Sequence, residues 1–161
     1  QGGTVLFDTR DQYSSAFDSS ASVSPETQRL RDVLSGLNIP PLEPVPDDHV
    51  LTKAFYILNE FPGRHRGSPL WVQSNIGGEE SGDRPVSAGD GVTPIMITGN
   101  DFAGAWAIDD NGEPLLPTIP SDPMQRLYAY RAGVNIMMYM LTGNYKSDQV
   151  HVPAILERLG Q

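Results

Sequence analysis

Two short runs decide the fold: Thr4-Val5-Leu6-Phe7-Asp8, and Pro94-Ile95-Met96-Ile97-Thr98 with Gly99-Asn100-Asp101 directly behind it. Each is dominated by apolar residues, is too short for a helix and runs out on polar groups, which is the pattern of a buried strand. Capped helices stand between and after them. Ser24 followed by Pro25 is an N-cap with proline at the first helical position, and proline lacks only an amide that would be unpaired there anyway. Leu30, Val33, Leu34 and Leu37 then fall on one helical face, and Asn38 with Ile39-Pro40-Pro41 ends the helix. A second helix is predicted over 123–142, with Asp122 as cap, Pro123 at the first position, Gln125 at capping-box spacing and Gly143 closing it. Leu127, Val134, Met138 and Leu141 keep helical spacing in it, while Ile136, Met137 and Met140 cover much of the remaining surface. So apolar a helix is expected to be packed on several sides. Short strands alternating with capped helices predict an α/β architecture with a mainly parallel sheet. In such sheets ligands sit beyond the carboxyl ends of the strands. That rule picks out Asp8-Thr9-Arg10-Asp11 and Asn100-Asp101.

The intervening segments are less regular. Four prolines between Pro40 and Pro46 predict an extended stretch, and Val50 to Leu58 reads as a short helix or a helix turning into a strand. Phe61-Pro62-Gly63 and Asp109-Asp110-Asn111-Gly112 are turn signatures, and Leu70 to Gln73 fits a strand. Residues 77–91, rich in Gly, Ser, Asp and Glu, are expected to form a flexible polar loop. Val152 to Leu159 reads as a closing amphipathic helix. The chain enters its first strand directly from Gln1-Gly2-Gly3, as the interior of a domain would, so it is expected to be the C-terminal piece of a longer protein.

Composition narrows the function. With 161 residues and 17.5 kDa, one domain with a real core is expected. The chain carries 11 Lys and Arg against 20 Asp and Glu, a net charge of -9. That balance excludes general nucleic-acid binding, which needs clustered cations, and docking on anionic lipid through a basic patch. Cys is 0, which removes disulfides, thiolate metal sites and a cysteine nucleophile. No apolar run approaches the roughly 18–20 residues of a membrane span, so direct membrane insertion is not expected.

Of the polar residues, Asp8, Arg10, Asp11, Asn100 and Asp101 are candidate ligand-binding groups at the strand ends, with Trp106 as a wall of the cleft. Asp8, Arg10 and Asp11 fit equally well an ion-pair network fixing the loop. Asp48 and His49 join the candidates, because Asp and His together can serve as acid, base or cation ligands. The plainer reading is that Asp48 caps the segment beginning at Val50 while His49 packs against a strand end. No His-x-x-x-His spacing supports a metal, so no metal and no cofactor are assigned. Gly-x-Ser-x-Gly is absent, and Ser14 and Ser15 lack the glycines of a nucleophile elbow. No catalytic residue is therefore assigned. Arg64-His65-Arg66 is the one basic run, able to hold an anion or to form a solvated turn.

Taken together, Gly2-Gly3-Thr4-Val5-Leu6-Phe7-Asp8, Pro46-Asp47-Asp48-His49, Asn100-Asp101 with Trp106, and Ala132-Gly133-Val134-Asn135-Ile136 through Tyr139-Met140-Leu141-Thr142-Gly143 resemble the C-terminal part of the bacterial domain-of-unknown-function family 4159. The resemblance implies a flavodoxin-like, class I glutamine amidotransferase-like three-layer sandwich, with residues 1–161 as its C-terminal portion and its N-terminal strands outside this chain. It implies a membrane-anchored parent in the bacterial cell envelope, with this domain on the periplasmic side; a cytoplasmic setting is the alternative. Glutamine amidotransferases on this fold use a cysteine, which this chain lacks, so that activity is not expected.

The function expected is a non-catalytic binding or interaction module of an envelope protein. The alternative is a hydrolase or sugar-related enzyme using Asp8, Asp48, His49 and Asp101, as trehalose-utilisation proteins of similar fold carry a comparable Asp/Glu-His-Pro segment; Val50 stands here in place of that proline. The expected partners are an envelope protein, the rest of the chain's own parent, or a second copy pairing through an exposed strand edge.

Overall fold

The computed structural model describes residues 3–11, 24–74 and 92–142. The expected loop at 77–91, Gly143 and the closing segment Val152 to Leu159 lie outside the described residues. The elements run β1 (Val5–Asp8), α1 (Pro25–Leu34), β2 (Leu42–Pro44), one 3-10 turn (Val50–Thr52), β3 (Trp71–Gln73), β4 (Ile95–Thr98), α2 (Phe102–Trp106) and α3 (Pro123–Thr142).

The class is α/β, as expected, but the sheet is mixed rather than mainly parallel. Its order is β1-β4-β3-β2. β1 and β4 pair parallel, with Phe7 opposite Ile97 and Asp8 opposite Thr98. β3 runs antiparallel to both of its neighbours. The reason lies in the connections. Parallel neighbours need a crossover over one face of the sheet, usually a helix. Between β2 and β3 the chain offers only the turn at Val50–Thr52 and irregular backbone, so the chain returns beside itself. The predicted helix or helix-to-strand segment at Val50 to Leu58 is thus a single 3-10 turn followed by bends.

The core lies between the sheet and the helix pair α2 and α3. Leu51, Leu58, Phe61, Val72, Met96, Phe102, Ile136 and Tyr139 form its centre, with Leu6 packed against it. Ile97, fully buried but outside that cluster, belongs to the opposite face of the sheet by the two-residue period of a strand.

Both helix starts are as predicted, and the faces differ. In α1 the Ser24 side chain accepts from the Thr27 amide at 3.0 Å. The helix ends at Leu34, four residues before Asn38, and of its predicted stripe only Leu34 is buried; Val33 and Leu37 are exposed. α3 spans the predicted residues, and Asp122 accepts from the Met124 amide at 2.8 Å. It is packed along one face only. Gln125, Ala129, Ala132, Asn135, Ile136 and Tyr139 are buried, whereas Leu127, Val134 and Leu141 of the expected stripe are more than a third exposed. Small residues win the inner face because they let neighbouring backbone come close. At Gly133 an added Cβ would lie 2.9 Å from the Trp106 ring.

The least hydrophobic residue of that inner face holds it together. Asn135 is fully buried. Its amide nitrogen donates to the carbonyls of Leu51 (2.7 Å) and Tyr56 (2.8 Å). Its oxygen accepts from the amides of Phe55 (3.2 Å) and Tyr56 (2.8 Å). One side chain thereby satisfies four backbone groups of a segment with little secondary structure of its own. Truncation leaves those groups buried without partners, each costing about 1–3 kcal/mol. Asn135→Ala is expected to lower unfolding free energy by at least about 3 kcal/mol, whereas Val134→Ala on the exposed side changes it by under about 1 kcal/mol. Chemical denaturation of the two variants measures both.

Candidate functional site

The carboxyl ends of β1 and β4 form one rim, because their register sets Asp8 beside Thr98. Asp8 is built into the backbone there. Its carboxylate accepts from the amides of Phe102 (2.6 Å), Asp101 (3.1 Å) and Arg10 (3.2 Å), closing the start of α2. Burial raises its pKa above the ordinary aspartate value, against the pull of those three amides. Asp101 is the N-cap of α2 in left-handed backbone (φ 57°), accepting from the Gly104 amide at 3.1 Å. A side chain at Gly104 would run into that carboxylate, so glycine is required. Asp11 accepts from the hydroxyls of Thr9, Ser24 and Thr27, tying the β1 tip to the start of α1. Arg10, between Asp8 and Asp11, is the other described non-glycine residue with positive φ (56°). Its guanidinium is exposed and has no hydrogen bond or ion pair among the described residues.

Asn100 supports the rim from the side of the loop from residue 61 to 68 rather than from the rim itself. Its side chain is buried, donating to Phe61 O (3.0 Å) and Ser68 O (2.7 Å) and accepting from the Ser68 amide (3.1 Å). It thereby closes the loop from residue 61 to 68 onto β4. Within that loop, the Arg64 amide donates to Asp101 O (3.0 Å) and the His65 amide to Asn100 O (2.9 Å). Gly63 makes the approach feasible, since a Cβ there would collide with the Asn100 and Asp101 backbone. From below, Gln125 sends its amide nitrogen to the carbonyls of Gly63 (3.2 Å) and Arg64 (2.9 Å). That is a different task from the capping box its spacing predicts. In a capping box the Gln125 oxygen would accept from the Asp122 amide, but that amide donates to Thr118 Oγ1 (3.3 Å) instead.

The outcome is a polar cleft of about 310 Å³ lined by Thr9, Arg10, Glu26, Arg64, His65 and Asp101. Arg64 is held at both ends of its fork, Nε to Pro117 O (3.1 Å) and Nη1 to Asp101 (3.3 Å). His65 is 6% exposed, and its imidazole makes no hydrogen bond among the described residues. Burial, helped by the Arg64 charge, holds its pKa below the ordinary histidine value, with Asp101 and Asp8 opposing. The ring is therefore neutral at pH 7, one nitrogen a donor and the other an acceptor. A second depression of about 440 Å³ runs along β2 and the loop from residue 59 to 70, where the charged groups Arg66 and Glu60 pair with each other.

The structure brings together Asp8, Arg10, Asp11, Asn100 and Asp101, but only Arg10 and Asp101 of these face the cleft. Asp48 and His49 lie elsewhere. His49, not Asp48, caps the 3-10 turn, its Nδ1 accepting from the Leu51 amide at 3.1 Å. Its ring packs edge-on against Tyr139 at 5.5 Å, whose hydroxyl accepts from the amide of Thr93, just before β4 begins. That is the opposite end of β4 from Asp101, so Asp8, Asp48, His49 and Asp101 do not converge on one reacting position. Trp106 is likewise turned inward, stacked on Phe102 at 5.4 Å and donating to Ala129 O at 2.9 Å. It joins α2 to α3 and leaves the cleft to others. The residues that sequence reading did not assign to the site are Thr9, Glu26, Arg64 and His65. The signal for two of them was the Arg64-His65-Arg66 run in an otherwise acidic chain.

Removing the Asp8 side chain leaves the amides of Asp101 and Phe102 without acceptors, and Asp8→Ala is expected to cost about 2 kcal/mol. The raised pKa also fixes a sign. The native state holds the Asp8 proton more tightly than the unfolded chain does, so this contribution is full below the ordinary carboxylate range. It declines as pH rises toward the elevated native value. Denaturation of wild type and Asp8→Asn between about pH 3 and pH 7 is expected to show the wild type's margin shrinking with rising pH.

No curated protein matches the chain. The model of the family described as Domain of unknown function (DUF4159) matches residues 1–141, all but the closing stretch of the sequence. The chain belongs to that family.

Proposed function

We propose that this domain is a non-catalytic binding module of a bacterial envelope protein, whose ligand enters the cleft between Arg10 and His65. The single observation that carries the reading is the composition of that cleft. It holds unspent polar groups, the Arg10 guanidinium and the His65 imidazole, and none of its lining residues is an activated nucleophile. Its volume stands at the lower end of the roughly 300–1,000 Å³ of small-molecule sites. Asp8 and Asp101 at its edge are committed to capping, which fixes their positions, and Glu26 lies exposed at its mouth. The envelope setting, the periplasmic side and the flavodoxin-like ancestry rest on the resemblance to longer membrane-anchored proteins. Among the described residues no helix is long and apolar enough to cross a membrane.

A thermal-shift screen with charged and neutral small metabolites tests this. Ligands are expected to stabilise the wild type without being consumed, and Glu26→Trp, which fills the mouth of the cleft from the exposed side of α1, is expected to abolish that stabilisation. Turnover of a bound compound, or stabilisation indifferent to Glu26→Trp, overturns the reading.

The interaction half of the proposal concerns the edge of the sheet. Among the described residues β1 stands at the end of the strand order, with Val5 47% exposed. The amides of Val5 and Thr9 donate inward to Pro94 O and Thr98 O, so by strand alternation the Leu6 amide points to the open edge. An apolar open edge is a template for another strand. We propose that this chain on its own pairs β1 with β1 of a second copy about a two-fold axis. Light scattering is expected to give twice 17.5 kDa, and Val5→Lys to give a monomer; a monomeric wild type with rapidly exchanging Leu6 amide contradicts it.

A further inference from the structure

We infer that the cleft is an oxyanion site, gripping a phosphate-type or carboxylate group between the Arg10 guanidinium and the His65 imidazole, with Arg64 as a fixed wall. The inference rests on the binding-module reading and deepens it by naming the ligand chemistry.

Three independent features point to an anion. The first is a cation with nothing to do. The formal charge of the chain is -9, yet Arg10 has no carboxylate partner among the described residues, although Asp8 and Asp11 flank it in sequence. Both carboxylates are turned inward, onto backbone amides and hydroxyls respectively. A guanidinium left free beside two aspartates is held apart from them by the backbone, and the left-handed conformation at Arg10 does this. A side chain in that region is strained, and the strain persists where the surroundings over-determine it, commonly at a ligand clamp.

The second feature is His65. The imidazole is 6% exposed, lines the cleft and makes no hydrogen bond among the described residues, and its nitrogens are not among the buried polar atoms left without a partner, so they remain accessible from the cleft. A ligand oxygen entering beside Arg10 can accept from the ring N–H. A negative ligand also favours the imidazolium form, opposing the burial and the Arg64 charge that disfavour it in the empty cleft.

The third is Arg64. Its bonds to Pro117 O and Asp101 consume Nε and Nη1, which leaves Nη2 as a donor on a side chain that cannot swing away. The charged groups facing the imidazole are therefore Arg64 and Arg10 on one side and Asp101, Asp8 and Glu26 on the other. Asp101 is neutralised by Arg64, Asp8 is committed to amides, and Glu26 lies exposed on the first turn of α1. Arg10 and Glu26 are thus the two lining charges without a partner among the described residues, Glu26 at the mouth, and an oxyanion is met by the planar guanidinium donors of Arg10, which match it bidentately.

The probe is inorganic phosphate, with acetate as a second arm, titrated into the full chain and followed by amide and imidazole NMR shifts. Phosphate is expected to move the amides of Thr9, Arg10, Arg64 and His65 saturably and to raise the pH at which the His65 ring titrates. Arg10→Asn removes the charge while keeping a residue that tolerates left-handed backbone, and is expected to weaken binding at least tenfold. Arg10→Lys is expected to recover part of it, and Arg29→Ala on the outer side of α1 to leave it unchanged. Saturable shifts with acetate alone assign the site to carboxylates, and with phosphate assign it to phosphate-type groups. If neither anion moves these amides, or Arg10→Asn binds like wild type, the inference is overturned. Should neutral metabolites still stabilise the wild type in a Glu26→Trp-sensitive way, the binding-module reading survives and only the oxyanion chemistry fails.

Discussion

Three buried carboxamide side chains carry the organisation of this domain. Asn100, Gln125 and Asn135 stand at the tip of β4 and on the inner face of α3, each fully or almost fully withdrawn from water. Asn100 and Asn135 spend both their nitrogen and their oxygen, and Gln125 its nitrogen, on backbone that has little secondary structure of its own. Asn135 secures Leu51, Phe55 and Tyr56, Gln125 secures Gly63 and Arg64, and Asn100 secures Phe61 and Ser68. The chain from residue 50 to 70 can be buried only because these donors and acceptors replace the water it gives up. Apolar burial supplies the driving force, and the amides decide which irregular path the loop takes.

That path is what creates the cleft. The same loop that Asn100 and Gln125 pin from two sides exposes Arg64 and His65 toward the rim of the parallel pair. On the far side of the rim, Asp8 and Asp11 hold the turn that lifts Arg10 away from its acidic neighbours. The carboxylates most noticeable in the sequence are therefore structural. Asp8 and Asp11 keep N–H and O–H groups satisfied and leave Arg10 without a carboxylate partner among the described residues, while Asp101 both caps α2 and pairs with Arg64. An acidic protein acquires a local site for negative charge by using up its nearby acids on its own backbone.

Local chemistry was readable where one residue acts on its near neighbours. Ser24-Pro25 and Asp122-Pro123 mark helix starts because a side-chain oxygen and a proline ring act within three residues. The strands at Val5–Asp8 and Ile95–Thr98 follow from short apolar runs that end on polar groups, and the turn at Asp109 to Gly112 from an aspartate accepting from the amides of Asn111 and Glu113. The sites of Asp8 and Asp101 were legible as strand ends, though not as caps. The direction of β3 was not legible, because it depends on whether a crossover helix precedes it. Neither was the inward face of α3, since both sides of that helix carry apolar residues and the side that packs is the one with Ala129, Ala132 and Gly133. Gln125 stands at capping-box spacing in the sequence, yet its buried side chain donates to the loop carbonyls of Gly63 and Arg64, which are distant in sequence.

The sequence by itself determined the class of fold, the two capped helices, the pair of strands whose tips meet, and the exclusion of thiolate chemistry. Each of those is settled by residue type or by contacts a few positions apart. Only the tertiary structure decided that His65 joins Arg10 across a separation of 55 positions while His49 turns to the other end of the sheet. Which histidine meets the rim depends on how a loop without secondary structure is threaded, and buried amides from distant helices and strands set that threading.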